Sequence, residues 1–396
     1  MRPKLCQKIG FCMKKPVNID DLRKQAKRRL PRMVYDFLEG GAGSERGLIR
    51  NREAFDRMLF APRRLTDVSK RELSVDLFGQ SYPLPLAIAP TGLNGVYWDK
   101  GDLALARVAA RYGIPFCLST ASNATIEDVA RSGDGEKWFQ LYILNREQSR
   151  LLVDRARQAG YSTLILTADV AVNGKRERDV RNGFVVPFKM TLRSAIDCAI
   201  HPRWSVDLLR RGMPELANFA SHDAADPAAQ AALMNRKMDA SFDWNAFARL
   251  RDEWPGKLLI KGLNRQEDVS LAEAAGADGV ILSNHGGRQL EDVAAPINTL
   301  LACAGVTSMP LLLDSGIRSG GDVVKGLAAG ARLCLLGRAT LYGLAAKGEQ
   351  GVAEALDILT SEMDTTLALI GIAKAREVRS SALVPLDQVV SAEHPS

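Results

Sequence analysis

Ser283 to Leu290, with the sequence SNHGGRQL, places an imidazole and a guanidinium three residues apart, directly after an apolar run. Imidazole titrates near neutrality and can take up a proton at working pH. A guanidinium presents a fork that matches a carboxylate, and the two glycines between them let a ligand approach the backbone closely. The segment therefore predicts a proton-transfer group, His285, beside a carboxylate-binding group, Arg288. The alternative is a core histidine next to a glycine turn.

Eight short apolar runs surround this segment in the chain, and most are followed by a helical pattern. Continuous rather than alternating apolar runs indicate strands that are covered on both faces. Helical composition follows at 102–112, 125–131, 148–159, 265–275 and 322–329. Eight such units predict an α/β fold, a TIM (β/α)8 barrel over about 84–370. The predicted strands are Leu84–Ala89, Ile114–Ser119, Trp138–Tyr142, Thr163–Thr167, Lys257–Lys261, Gly279–Ser283, Pro310–Asp314 and Arg332–Leu336.

All eight predicted strands end in polar or glycine-rich residues. In a TIM barrel the carboxyl ends of the strands form one face, and that face carries the chemistry. The sequence therefore predicts one site there. In strand order its members are Thr91, Ser119, Gln140 with Tyr142, Thr167 with Asp169, Lys261, His285 with Arg288, Asp314, and Gly337 with Arg338.

The ends of strands seven and eight favour a phosphate site. Asp314-Ser315-Gly316 and Gly337-Arg338 fall where such barrels hold a phosphate with backbone N–H groups, and Arg318 adds charge. A phosphate-bearing cofactor is the favoured ligand. Lys261 is suited to place a positive charge beside an electron-rich ring, although Asp169 or Asp314 could instead neutralise it.

Two additions decorate the predicted barrel. Residues up to about 64 form a helical extension, and about 183–244 form a long insertion after strand four. The insertion mixes apolar and basic residues from Phe184 to Trp204. Such a segment could lie on a membrane surface or pack as a lid over the barrel, and the sequence leaves both open.

Composition narrows the class of protein. The six cysteines form no CxxC pair, so we expect reduced thiols of a cytosolic protein and no metal site. No apolar run is long enough to span a membrane, and no secretion signal is recognisable. A net charge of +7 permits attraction to anionic lipids or polyanions. Nucleic-acid-binding motifs are absent, so no nucleic-acid partner is expected.

Three motifs together resemble the FMN-dependent L-2-hydroxy-acid dehydrogenase and oxidase family. They are Ser283 to Leu290, Asp314-Ser315-Gly316-Ile317-Arg318 and Leu336-Gly337-Arg338. The resemblance runs from about 18 to 383, which implies one domain over 1–383 and a tail over 384–396. Four local stretches look closest to the membrane-associated bacterial mandelate dehydrogenases of that family. They are PTGLNG from Pro90, DVAVNG from Asp169, HPRW from His201 and MDASF from Met238.

The resemblance implies a role for each predicted site residue. His285 would be the base, Asp169 would stabilise its protonated ring, and Tyr142 would contact the substrate or a developing oxyanion. Arg288 and Arg176 would hold the substrate carboxylate. The FMN ring would lie against Ser119, Gln140, Thr167, Lys261 and backbone around Thr91 and Gly92, and the FMN phosphate near Gly316, Arg318, Gly337 and Arg338. Ser283 and Asp314 would also contact the cofactor.

The implied activity is oxidation of an (S)-2-hydroxy acid to the 2-oxo acid, with (S)-mandelate to phenylglyoxylate favoured. Electrons would pass to a membrane quinone or another respiratory acceptor. The alternatives are an L-lactate dehydrogenase, an oxidase that uses O2, or a flavin-binding protein without catalysis. The base would remove either the Cα proton or the hydroxyl proton. The resemblance also implies a homotetramer, peripheral on the inner face of the cell membrane through about 184–204.

Phe37 departs from the family pattern, because relatives usually carry a Tyr there whose hydroxyl helps to bind the substrate carboxylate. Losing one charge-assisted hydrogen bond would cost about 1.5 to 3 kcal/mol of binding unless Tyr35 or a water replaces it. Gly92 and Ala121 are small residues expected to face the substrate side chain, which would leave room for an aryl group.

Overall fold

Eight parallel strands close into a barrel in the computed structural model, which describes residues 15–184, 191–220 and 238–386. Cys6, Cys12 and parts of the insertion and tail lie outside the described residues. Around the barrel each strand pairs with the next along the chain, and the last pairs with the first. The predicted TIM barrel is confirmed. Its strands are β4 (Leu86–Ile88), β5 (Phe116–Ser119), β6 (Lys137–Leu141), β7 (Thr163–Thr167), β8 (Lys257–Leu263), β9 (Gly279–Leu282), β10 (Leu311–Leu313) and β11 (Leu333–Leu336).

Burial on both faces explains why most residues of these strands are apolar. Every residue of β7, β9, β10 and β11 is buried, since the inner face fills the barrel and the outer face packs on helices. The covering helices are α5 (Gly101–Arg111), α6 (Ile126–Ala130), α7 (Arg146–Gln158), α12 (Trp244–Glu253), α13 (Gln266–Ala274), α14 (Pro296–Cys303), α15 (Gly320–Ala328), α16 (Arg338–Lys347) and α17 (Glu349–Ile370).

The N-terminal extension is helical, as predicted, and it packs on the barrel through the contact of α1 with α16. Its helices are α1 (Ile19–Arg29), α2 (Arg32–Glu39) and α3 (Arg46–Asp56), and the short helix α4 (Asn94–Tyr97) follows the first barrel strand. Outside the barrel, strand β1 (Met58–Phe60) pairs antiparallel with β12 (Leu383–Pro385), and β2 (Val75–Leu77) forms a hairpin with β3 (Gln80–Tyr82). The pairing of β1 with β12 attaches the C-terminal segment to the extension.

The described parts of the insertion after β7 carry helices joined by non-helical segments such as 212–216. Helix α8 (Glu177–Asn182) leads into the insertion, whose own described helices are α9 (Leu192–Ile200), α10 (Pro202–Arg211) and α11 (Ala217–Ala220). The Trp204 ring is buried, and its indole N–H donates to the carbonyl of Val96 at 2.8 Å. This contact fixes α10 beside α4, close to the carboxyl ends of the barrel strands.

Candidate active site

The turn after β9 presents His285. His285 has φ of 57°, and the next two residues, Gly286 and Gly287, have φ of 65° and 74°. A left-handed conformation is unfavourable for a residue with a side chain and often marks a functional position. The backbone N–H of His285 donates to the Ser283 hydroxyl at 3.0 Å. The two glycines adopt this conformation without a side-chain penalty, so the turn can lift the imidazole off the strand end.

Asp169 and Tyr142 both contact the ring of His285. Its Nδ1 lies 3.1 Å from Oδ1 of Asp169, and its Nε2 lies 3.5 Å from the hydroxyl of Tyr142. Burial alone would raise the pKa of the Asp169 carboxyl, but the His285 ring and the Lys261 ammonium outweigh burial and hold that pKa below its ordinary value. Asp169 therefore stays ionised and can stabilise a protonated imidazole.

Lys261 lies on β8, where its Nζ is 3.0 Å from Oδ2 of Asp314 and donates to the Ser283 hydroxyl at 2.7 Å. Burial alone would lower the pKa of Lys261, but the Asp314 and Asp169 carboxylates outweigh it and raise that pKa. The ion pair that the sequence offered as an alternative is therefore present, with Asp314 as the partner. Lys261 also lines the central cavity, so the pairing leaves a charged ammonium beside it.

Arg288 is held by its NH1 atom, which donates to the carbonyls of Phe37 and Gly40 at 2.7 and 2.9 Å. Among the described residues, no acceptor bonds to its Nε or NH2 atoms, so these remain available to a ligand. Arg176 is buried beside it, and its Nε is 3.4 Å from the Arg288 carbonyl. The two guanidinium groups line the same cavity as His285.

The ends of β10 and β11 carry a second cluster of positive charge. Arg338 donates to the carbonyls of Leu38, Gly286 and Gly40 at 3.1, 2.8 and 2.7 Å. Burial lowers the pKa of Arg338 to about 10, and the Arg288 cation acts in the same direction. An excess of buried positive charge of this kind suits an anionic ligand.

Backbone geometry at this end leaves room for a phosphate. Gly337 caps the N-terminus of α16, and a side chain there would meet nothing within 4 Å. Gly316 has φ of 91°, and Arg318 donates to the Ile317 carbonyl at 2.7 Å. Open space at a helix N-terminus beside two arginines fits a phosphate group.

The polar strand ends on the opposite side fit a planar, heteroatom-rich ring. Ser119 donates to Oε1 of Gln140 at 3.0 Å. Among the described residues, the buried Nε2 of Gln140 and Oγ1 of Thr167 have no hydrogen-bond partner. Buried polar atoms normally find partners, so these two call for a ligand. The Thr91 hydroxyl donates to Oδ1 of Asn94 and the Thr91 carbonyl accepts from Nδ2 of Asn94, both at 3.0 Å, so the Thr91 backbone N–H is the group left for the cofactor contact that the resemblance implies.

A cavity of about 460 Å³ joins His285, Arg288, Arg176, Lys261, Tyr142, Ser119, Arg318 and Arg338, whereas Gln140, Thr167, Asp169 and Ser283 are not among its lining residues. Its wall also includes apolar residues of α8 and of the insertion: Val180, Phe184, Leu216 and Met238. The insertion therefore packs over the barrel at the site. Other residues of α9 and α10 face outward, so the insertion also keeps an exposed surface for the alternative role, contact with a membrane.

Phe37 lies in the cavity wall, where its ring stacks on Phe184 with centroids 4.2 Å apart. The Arg288 guanidinium lies 5.0 Å from the centroid of the Phe37 ring. Tyr35 does not replace the missing hydroxyl, since its OH points to Glu39 Oε2 at 3.4 Å and it does not line the cavity.

Gly92 also meets a packing constraint. A Cβ at Gly92 would lie 2.9 Å from the Ala121 Cβ and 3.1 Å from the Ala121 carbonyl oxygen. The missing side chain therefore allows the close approach of two loops. Both residues line the cavity, so they still shape it.

Three further ionisable residues of the cavity wall, Tyr97, Lys175 and Asp179, were not predicted. Tyr97 ends α4, and Asp179 lies on α8. Burial raises the pKa of Asp179 to about 6, against the opposing effect of Arg288. Tyr97 follows apolar Val96 and is indistinguishable in sequence from a core aromatic, whereas Asp179 sits in an ordinary charged run.

Comparison with known proteins agrees with this geometry. The FMN-dependent dehydrogenase family model matches residues 26–385. (S)-Mandelate dehydrogenase of Pseudomonas putida is 55% identical over 354 residues, 89% of this chain and 90% of that protein. L-Lactate dehydrogenase of Caulobacter vibrioides is 40% identical over 92% of this chain and 96% of its own length.

A solved structure gives the same result. The crystal structure of a monotopic membrane protein, (S)-mandelate dehydrogenase, superposes with a TM-score of 0.91 and 53% identity, and the match covers 94% of this chain and all of that one. The sequence match, the fold and the residues that line the cavity all indicate the same family. The chain therefore belongs to the FMN-dependent dehydrogenase family.

Proposed function

We propose that this FMN-dependent dehydrogenase oxidises (S)-mandelate to phenylglyoxylate. The observation that carries the proposal is the cavity itself, which joins His285 and Arg288 to an apolar wall contributed by the insertion. An aryl 2-hydroxy acid has a carboxylate and a reacting carbon at one end and an apolar ring at the other. The 55% identity to the Pseudomonas putida mandelate dehydrogenase supports the same substrate.

In this proposal the free edge of Arg288, with Arg176, binds the substrate carboxylate and fixes the orientation of the hydroxyl-bearing carbon. His285 removes a proton from the substrate, and Asp169 stabilises the imidazolium that forms. Tyr142, 3.5 Å from the base, contacts the substrate oxygen. These residues account for binding, orientation and proton transfer.

Electron transfer needs the cofactor, because no protein side chain accepts two electrons; bound FMN supplies that capacity. Ser119, Gln140, Thr167, Ser283 and Lys261 would hold its ring, with backbone at Thr91. Lys261 would stabilise negative charge that develops on the ring. Gly316, Arg318, Gly337 and Arg338 would hold its phosphate end, and Asp314 would hold the Lys261 ammonium in place.

Anaerobic bleaching of flavin absorbance tests the substrate. Purified holoenzyme is mixed with glycolate, L-lactate, (S)-mandelate or a longer 2-hydroxy acid, and we expect the largest bimolecular rate constant with mandelate. A larger constant with lactate would favour the L-lactate dehydrogenases that also match this chain at 40% identity. A flavin that no 2-hydroxy acid bleaches would favour the non-catalytic alternative.

We further propose a quinone or another respiratory carrier as the electron acceptor. In aerobic turnover we expect fast reduction of a soluble quinone analogue and little hydrogen peroxide. Stoichiometric peroxide would instead identify an oxidase. The homotetramer implied by the resemblance is likewise a proposal, and light scattering of the purified holoenzyme tests it.

Peripheral membrane association is proposed for the insertion. Leu192, Ile196 and Ile200 of α9 are 81%, 57% and 69% exposed and recur every four residues, so they form one apolar face. Arg193 and Arg203 flank that face. The monotopic membrane protein of 53% identity supports this location. No helix within 15–184, 191–220 and 238–386 is long and apolar enough to cross a membrane.

The cytoplasmic side of the membrane is proposed for this docking. The four described cysteines, Cys117, Cys198, Cys303 and Cys334, are all free, as expected in a reducing compartment.

A further inference from the structure

Tyr97 places a phenol in the cavity wall next to Phe37. The ring is 2% exposed, and its centroid lies 6.4 Å from that of Phe37 with 25° between the ring planes. Its backbone carbonyl accepts from Arg29 NH1 at 2.8 Å, which anchors the end of α4. The residue is thus rigidly held on the side of the cavity where Arg288 lies over Phe37.

The Tyr97 hydroxyl has no hydrogen-bond partner among the residues that the structure describes. A buried tyrosine normally bonds its hydroxyl, because leaving it unpaired costs free energy. Burial raises the pKa of Tyr97 well above its ordinary value, so the group keeps its proton and can donate. An unpaired donor in a ligand cavity indicates an acceptor on the ligand.

Electrostatics favour an anionic acceptor at this place. The Arg288 cation is the charge that acts most strongly on the Tyr97 phenol; the Asp179 carboxyl opposes it and the Arg338 cation adds to it. Arg288 also has unbonded guanidinium edges among the described residues. The hydroxyls of Thr91, Ser119 and Ser315, which also line the cavity, already donate to Asn94, Gln140 and Asp314. The neighbouring aromatic residues do not supply the donor either. Phe37 has no hydroxyl, Tyr35 is turned toward Glu39, and Tyr142 lies at the His285 end.

We propose that the Tyr97 hydroxyl donates a hydrogen bond to the carboxylate of the bound 2-hydroxy acid, beside Arg288. This contact, made from α4, replaces the one that Phe37 on α2 cannot make. The inference rests on the proposed function, since it takes a 2-hydroxy acid as the ligand. It assigns Tyr97 a role in substrate binding and positioning, separate from proton transfer.

The test is Tyr97→Phe, which removes only the hydroxyl. Affinity is measured by calorimetry on the holoenzyme with (R)-mandelate, the enantiomer of the proposed substrate, and with (R)-mandelamide, which has no carboxylate. We expect (R)-mandelate to bind about 10- to 100-fold more weakly to the variant, as for a lost hydrogen bond to a charged group, and the amide to change little. Tyr82→Phe, at an equally buried tyrosine whose hydroxyl bonds Gln80 on the hairpin, is the matched control and should bind both ligands like the wild type.

Moving the hydroxyl back provides a second readout. The double variant Phe37→Tyr, Tyr97→Phe should recover a substantial part of the lost (R)-mandelate affinity. FMN absorbance and melting temperature establish that each variant is folded, and Tyr97→Leu replaces Tyr97→Phe if the latter does not retain FMN.

The inference is overturned if the hydroxyl-free variant binds (R)-mandelate within twofold of the wild type, or if acid and amide lose affinity equally. Failure of the proposed function looks different: wild-type flavin would then not be bleached by (S)-mandelate at all.

Discussion

Nδ1 of His285 lies 3.1 Å from Oδ1 of Asp169, which couples the turn after β9 to the carboxyl end of β7. The contact directs the other ring nitrogen, Nε2, toward Tyr142 and the cavity. A negative charge behind the ring favours its protonated form, which is the form that a base reaches after it has taken the substrate proton.

Asp169→Asn should slow flavin bleaching about 10- to 100-fold, because the protonated ring loses its counter-charge. The acidic limb of the pH–rate profile should also move to lower pH, since removing the negative charge makes the ring harder to protonate. Stopped-flow bleaching across pH measures both effects. Asp207→Asn, at an exposed carboxylate on α10, is the control. An unshifted acidic limb would separate Asp169 from the base.

His285→Gln should reduce the bleaching rate constant by about 10²- to 10⁴-fold, because it removes the general base. FMN should remain bound, since the ring and phosphate contacts are left intact. Absorbance of the purified variant and single-turnover kinetics give the two readouts. His201→Gln, at the junction of α9 and α10, should bleach like the wild type. Loss of FMN in His285→Gln would mean that the histidine is mainly a structural support.

Asp179 should make substrate binding depend on pH. With its pKa raised to about 6 by burial, the carboxyl is neutral below that pH and ionised above it. Ionisation adds a negative charge to a cavity that must accept an anion, so the affinity for (R)-mandelate should fall about 10-fold as the pH rises through 6. Calorimetry at several pH values measures this, and Asp179→Asn should flatten the dependence. An equally steep dependence in the variant would assign it to another group.

Thr167→Val and Gln140→Leu should each weaken FMN binding about 3- to 10-fold, the size expected for one lost neutral hydrogen bond. The reason is that both side chains carry a buried polar atom without a partner among the described residues. Fluorescence titration of the apoprotein with FMN measures the dissociation constant. Thr360→Val, at another buried hydroxyl without a described partner but on α17, is the control. Unchanged affinity in the two site variants would place the flavin ring elsewhere.

Combining Leu192→Glu with Ile196→Glu should release the protein from anionic vesicles, because two exposed apolar side chains of α9 become charged. We expect the partition coefficient of the protein onto the vesicles to fall at least about tenfold. Co-sedimentation measures the bound fraction. Leu271→Glu, at a 47% exposed position on α13, is the control. If both variants sediment with vesicles alike, another surface docks.

The barrel was predictable because each of its strands is dominated by a short apolar run without strict alternation, as expected for strands buried on both faces. The hairpin of β2 and β3 was not foreseen, since three-residue strands such as Val75–Leu77 carry too short a pattern. Helix α14 was also missed, since its start at Pro296 follows a loop without a recognisable cap side chain.

Residues of the site were predictable where a reactive or charged side chain lies at the carboxyl end of a barrel strand. Motif residues such as His285, Lys261 and Arg338 were found in this way. Tyr97 and Asp179 were not, because they reach the cavity from α4 and α8, and only tertiary packing brings those helices to the barrel mouth. The close approach of Gly92 to Ala121 likewise depends on two loops whose separation no local pattern records.

That approach also constrains how the substrate range of such an enzyme can change. The two loops touch so closely that a methyl group at Gly92 would need either a displaced loop or a compensating loss at Ala121. The two positions are therefore epistatic, and the effect of a substitution at one depends on the residue at the other. Paired libraries at 92 and 121 are the way to sample new acids, whereas single-site saturation at 92 would sample mostly distorted loops.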